Sequence, residues 1–183
     1  MAVNLLGVGP RPEEVDADRP GDDIIAAPDV VLDRAFTLPV TQDKVWPWIA
    51  QLGKGRAGWY LPRSVELLVP RNRRSLRRID PALQQLQPGD VIGDWGGRNA
   101  TLQTVRHDPP DLVLYRSTRG DLQLTWMILL RTELSGGTRV HLRLRMAGVK
   151  RRRAAQLGGG LLDLLSVAGL AAGLRERLTA PPD

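Results

Sequence analysis

From residue 90 to residue 146 the chain reads as five strands in unbroken succession, at 90–95, 100–107, 112–118, 122–134 and 138–146, and this run limits the fold more than any other feature. The connections are short and turn-forming: Gly96-Gly97, Asp108-Pro109-Pro110, Arg119-Gly120-Asp121 and Ser135-Gly136-Gly137. None has room for a crossover helix, so consecutive strands must pair antiparallel. The last two strands alternate most clearly. Leu124, Trp126, Ile128 and Leu130 match Val140, Leu142, Leu144 and Met146, while Arg139, His141, Arg143 and Arg145 fall on the other side. Such a sheet has one apolar face, which needs a cover, and one face expected to meet water.

Residues 30–38 form a further alternating strand that puts Arg34 among apolar neighbours. After Pro39, Thr41 is a helix N-cap, and Val45, Trp48, Ile49 and Leu52 form an apolar stripe that ends at Gly53 and Gly55. Pro47 removes one hydrogen bond from this helix. A short second helix is expected over 63–69. The tail, 154–178, carries a stripe of Leu157, Leu161, Leu164, Leu165, Ala168, Ala171 and Leu178, and three glycines at 158–160 delay the helix proper to about Leu161. It is the only element long enough to cover the sheet. Its uninterrupted apolar part is short and includes Asp163, so a membrane span is not expected. Residues 1–24, rich in Pro, Gly and Asp, read as a poorly ordered leader before a single domain at 25–183. With 183 residues, one domain is the expectation, and the lack of a signal-like N-terminus points to the cytoplasm.

The element order is strand, two short helices, five strands and a long helix. With the segments VLDRAFTL, VTQDKVWPWIAQLGKGRAGWY, IDPALQQLQPGDVI and LTWMILL running into TRVHLRLR, it resembles the START-like, polyketide cyclase and lipid-transport superfamily (SRPBCC) across roughly residues 29–146. The resemblance implies an α+β helix-grip fold, in which a curved antiparallel sheet wraps a long C-terminal helix and leaves a cavity between them. It also implies that the first helix and the loop after it flank the cavity mouth. Four of the chain's eight aromatics crowd that region, Trp46, Trp48, Trp59 and Tyr60. Trp48 lies on the apolar stripe and is expected in the core, whereas Trp59 and Tyr60 are expected at the rim.

Candidate ligand contacts are therefore Trp59, Tyr60, Arg116, Thr118, Trp126 and Leu142, with Arg116 and Thr118 as polar exceptions in an apolar lining and Tyr115 pointing the other way. Arg34, on an inward face, requires a carboxylate, and Glu66, Asp90 and Asp94 are the available partners for a structural ion pair. Gln51 and Arg56 are expected to serve the same framework. The two histidines, His107 and His141, have no nucleophile and carboxylate at triad-like spacing and read as surface residues, so no catalytic residue is assigned. No zinc, P-loop or dinucleotide motif occurs, and there is no cysteine, so no metal and no cofactor are expected. The net charge of +6 is almost all arginine. The basic runs at 71–78 and 150–153 lack interleaved aromatics, which argues against a nucleic-acid partner.

These readings lead to binding of a small hydrophobic molecule or lipid. A cyclase or aromatase-like enzyme is the alternative, distinguished by an Arg, Tyr or His with its polar atom inside the pocket. A third possibility is docking on an anionic membrane through the basic run at 150–153 and the leucines that follow, although the helix-grip arrangement already uses that helix as its cover. Oligomeric state is not legible.

Overall fold

The alternation at residues 30–38 and the meander after residue 90 build one sheet, seen in a computed structural model that describes residues 5–150, 153 and 155–179. Strand β1 (Val30–Leu38) is followed by helices α2 (Gln42–Gln51) and α3 (Arg63–Glu66), and a short helix α1 (Pro12–Asp16) precedes it. Then come β2 (Val91–Gly93), β3 (Thr101–Asp108), β4 (Leu112–Arg119), β5 (Leu122–Thr132), β6 (Thr138–Ala147) and helix α4 (Gly160–Thr179). The six strands are antiparallel in the order β1-β6-β5-β4-β3-β2, and the sheet curves without closing, with α4 packed on its inner face. This is the helix-grip architecture. The first strand of the meander is shorter than expected, because the Asp94–Ala100 loop leaves the ladder early.

The inner face holds the core. Phe36, Tyr115, Ile128, Leu130, Val140 and Leu142 from the sheet meet Val45 and Ile49 of α2 and Val167, Leu170 and Leu174 of α4. Each such side chain contributes about 1.5–3 kcal/mol when buried. Two glycines permit close approaches around the loop after α2. At Gly173 a Cβ would lie 2.6–2.7 Å from the backbone of Tyr60 and Leu61, so α4 can press on that loop only without a side chain there. Gly58 has φ +84°, and a Cβ would stand 3.0 Å from the Ser75 backbone.

The outer face differs from expectation. The segment before β1, expected to lack order, starts at the open edge of β1 and then crosses to this face. Val8 is fully buried, and its carbonyl accepts from Ala35 N (3.0 Å) at the open edge of β1. Arginines of β6 hold the rest. Arg139 grips Glu14 through two 2.7 Å bonds, and Arg143 reaches Asp22 (2.7 Å) and the Val15 carbonyl (2.6 Å). Arg145 donates to the Ile25 carbonyl (2.8 Å). His141 and Arg143, expected in water, are therefore 3% and 4% exposed, and both bond Asp33 of β1 (2.7 and 2.8 Å). A small apolar cluster, Leu112, Leu114, Met127 and Leu129, shares this face, with Gly21 lying over Leu114. The outward charges act as a clamp for chain that composition alone reads as unstructured.

Candidate functional site

Helix α2 and the bend after it form a corner in which alternate aromatics do different work. Trp48 and Tyr60 meet edge to face at 5.4 Å, and the Tyr60 hydroxyl donates to the Trp48 carbonyl (2.9 Å). Arg177 of α4 places its guanidinium 4.8 Å from the Tyr60 ring centre. Tyr60 is fully buried, and that burial pushes its pKa up. The residue expected at the rim is thus a core residue, drawn in by the close approach at Gly173. Gln51 braces the same corner, accepting from Asp80 N (2.9 Å) and donating to the Arg78 carbonyl (3.1 Å). Arg56 donates to the Ala50 and Leu83 carbonyls. Gln51 and Arg56 thus bond backbone groups of this corner, not the Arg34 network in which they were expected.

Trp59, one residue earlier, is only partly buried. Its Nε1 donates to the Ser166 carbonyl of α4 (3.0 Å), and its ring lies between Trp95 (5.4 Å, edge to face) and Trp126 (6.1 Å, stacked). Trp126 in turn stacks on Tyr115 at 5.7 Å. Four aromatics therefore run in a line from Trp95, 46% exposed, to Tyr115, 1% exposed. The outer end is pinned by Lys54, which donates to the Asp94 (2.8 Å) and Gly97 (3.0 Å) carbonyls, and by the Arg119–Asp94 ion pair.

Polar groups gather at the inner end. Thr104 sits opposite Tyr115 and His107 opposite Val113 on the β3–β4 ladder, so both face inward despite their odd spacing. A bulge between Thr104 and Arg106 makes this possible by turning Val105 and Arg106 outward in succession. Thr104 Oγ1, His107 Nε2 and Arg56 Nε are buried without a hydrogen-bond partner in the protein. Burial, with Arg56 adding to it, lowers the His107 pKa, so the imidazole is neutral at pH 7. Burial raises the Tyr115 pKa against the opposing pull of Arg56, so the phenol keeps its proton. His107 also packs on Trp46 at 5.3 Å. Each unsatisfied buried group costs about 1–3 kcal/mol, which a ligand oxygen or hydroxyl placed there would recover.

Several expected site residues lie elsewhere. Arg116 and Thr118 project from the outer face: Arg116 bonds Gln103 (2.9 Å) and, with Thr118, borders a shallow outer depression. Tyr115 is the inward residue of that strand. Leu142 is inward but packed in the core opposite Arg34. Arg34 does face inward, yet its carboxylate is Asp163 of α4 (2.9 Å), whose pKa burial raises against the pull of Arg34. Glu66 instead pairs with Arg177 (2.6 Å) and Arg77 (2.8 Å) and accepts from Ser75. Asp90 is exposed and caps its own turn through Gln87 N (2.8 Å). A second crevice, about 310 Å³, lies between the leader and the β5–β6 turn and is lined by opposed charges such as Arg11, Arg139, Glu14 and Glu133. Among the described residues, no cluster of three or more His, Asp or Glu could hold a metal ion.

No protein-family model matches the chain, and no curated protein matches it significantly. Solved structures do. A protein from Rhodobacter sphaeroides superposes with a TM-score of 0.52 at 14% identity, over 82% of this chain and 92% of that one. NE0264 from Nitrosomonas europaea gives 0.50 at 17% identity, over 82% and 94% of the two chains. CalU16 from Micromonospora echinospora gives 0.50 at 16% identity, over 83% and 77%. These likenesses establish the fold, a curved antiparallel sheet gripping a long carboxyl-terminal helix.

Proposed function

We propose that the chain binds a hydrophobic, ring-bearing small molecule along the line Trp95–Trp59–Trp126–Tyr115, with a polar group of the ligand directed at Thr104, His107 and Arg56. The carrying observation is the combination of an aromatic line exposed at one end, at Trp95, with unpartnered buried polar atoms at the other. Aromatic walls favour flat apolar rings, and a few convergent polar atoms fix orientation. The test is a fluorescence titration with 1-anilinonaphthalene-8-sulfonate, a probe with fused rings and one anionic group. Saturable one-to-one binding that weakens at least ~10-fold in Trp126→Ala, with the fold retained, supports the site, because a lost aromatic wall removes on the order of 1.5 kcal/mol or more. Binding unchanged in Trp126→Ala would remove it.

A second reading, a cyclase-like enzyme, is favoured by one observation. A neutral His107 and a protonated Tyr115 stand at the closed end beside the charge of Arg56, a set able to move a proton on a bound poly-β-ketone. Conversion of a poly-β-keto thioester to a cyclised product, lost in His107→Asn while the probe still binds, would favour catalysis over carriage. No conversion would leave binding as the activity.

A further inference from the structure

Helix α4 covers the sheet with only one of its sides. Val167, Leu170, Ala171 and Leu174 are buried inward, whereas Leu161, Leu162 and Leu165 are 57, 68 and 53% exposed, as is Leu157 (77%) in the π-helical turn Ala155–Gly159 that leads into α4. Leu161 and Leu165 stand on successive turns, and Leu162 flanks them, which makes one outward stripe. Between Leu157 and Leu174 the only charged residue is Asp163, and it is turned inward onto Arg34. The helix is long and apolar enough to cross a membrane by length and composition, yet just 28% of its apolar window is buried in the fold. A soluble domain rarely leaves so continuous an apolar strip uncovered.

The charge beside this strip indicates what covers it. Lys150 is 85% exposed at its side chain, with a solvent-facing Asp121 at 3.5 Å, and Arg153 is exposed. In sequence these two bracket Arg151 and Arg152, which lie outside the described residues. The amino-terminal end of the helix adds a partial positive charge. Beside the carboxyl-terminal half of α4, tied to it by the Arg63 N–Glu176 bond (2.8 Å), exposed Leu67 and Leu68 precede Arg71 and Arg73.

We propose that the outward leucine side of α4 docks on an anionic membrane surface, with Lys150 and Arg153 among the lipid headgroups. Docking flat on the surface keeps the inner contacts of α4, including the Arg177–Glu66 pair, whereas spanning the bilayer would break them. A second copy of the chain is the less suitable occupant, because it carries the same +6 charge to the interface and an anionic lipid surface carries the opposite. This inference does not depend on what the inner site holds.

The test is co-sedimentation of the full chain with vesicles of phosphatidylcholine alone and of phosphatidylcholine with about one-third phosphatidylglycerol, a composition that gives an anionic surface. Binding is expected to the anionic vesicles, weaker at high salt but not abolished. The double variant Leu161→Glu/Leu165→Glu, at exposed positions that leave the melting curve unchanged, should lose binding at least ~10-fold. Lys150→Gln/Arg153→Gln should lose about fivefold per charge. Full vesicle binding by the leucine variant, equal binding to both vesicle types, or no vesicle binding together with a dimer that the leucine variant dissolves would each overturn the proposal.

Discussion

Replacing Glu66 by Gln isolates the interaction that fixes α4 to the loop beneath it. Arg177 is 1% exposed at its side chain and Glu66 6%, and their 2.6 Å contact is joined by Arg177 bonds to Ser75 Oγ (2.7 Å) and to the Leu61 and Gly173 carbonyls (2.9 and 3.0 Å). Removing one partner of a buried pair strands the other charge and costs about 3–5 kcal/mol. For a chain of this size that corresponds to roughly 6–20 °C in Tm. Burial raises the Glu66 pKa, but Ser75, Arg177 and Arg77 outweigh it and hold the carboxyl below its ordinary range. A depressed carboxylate pKa means that the folded state binds fewer protons than the unfolded state. The contribution is therefore complete above the unfolded value of about 4.3 and fades as pH falls through the lower folded value. Thermal melts followed by circular dichroism at pH 7 and across pH 3–5 measure both effects. Glu66→Gln should melt lower at pH 7 and should fall less steeply than the wild type in acid. Glu66→Leu/Arg177→Met should lose less than the sum of its single variants. A single-variant loss below about 1 kcal/mol, or strict additivity, would refute the reasoning.

Three other perturbations probe separate parts of the structure. Arg143→Ala removes the bonds to Asp33, Asp22 and the Val15 carbonyl, so hydrogen exchange at residues 12–25 should accelerate at least ~10-fold, and unchanged protection would show that the clamp does not hold the leader. Gly173→Ala should lower stability by at least about 2 kcal/mol although alanine is the better helix former, because the new Cβ meets backbone at 2.6 Å; a raised Tm would contradict that packing. Arg116→Ala, on the outer face, should leave the dissociation constant of the probe within about twofold, since the substitution removes no inner contact, and a tenfold loss would return Arg116 to the site.

The strands and their antiparallel order were legible because period-two alternation and short turns act locally. Residues 124–130 and 140–146 show their inner face directly, and Trp126 and Leu142 were placed inward on that basis. Which side of strand β4 faces inward was not legible. Leu112 and Leu114 are as apolar as Val113 and Tyr115, because the leader buries part of the outer face, so alternation alone could not distinguish the two sides. That ambiguity sent Arg116 and Thr118 inward and Tyr115 outward. The bulge after Thr104 leaves no compositional signature and hid the inward turn of His107. Arg34 was expected to pair with Glu66, Asp90 or Asp94, but its partner is Asp163, 129 residues away and beyond any spacing rule. Trp95, an aromatic in a glycine-rich loop between two strands, was a visible signal, and its role depends on Lys54 holding that loop over Trp59.

The five indole N–H signals of the chain offer the most direct measurement of ligand binding along the aromatic line. In a 15N–1H correlation spectrum titrated with 1-anilinonaphthalene-8-sulfonate, Trp59, Trp95 and Trp126 should shift together along one saturation curve. Trp59 should move most, because its N–H is bonded to the Ser166 carbonyl at the junction with α4. Trp48, packed against Tyr60 in the corner, should stay in place. Saturation that leaves Trp59 and Trp126 unmoved, or that moves Trp48 as much as they do, would place the ligand elsewhere and contradict the account.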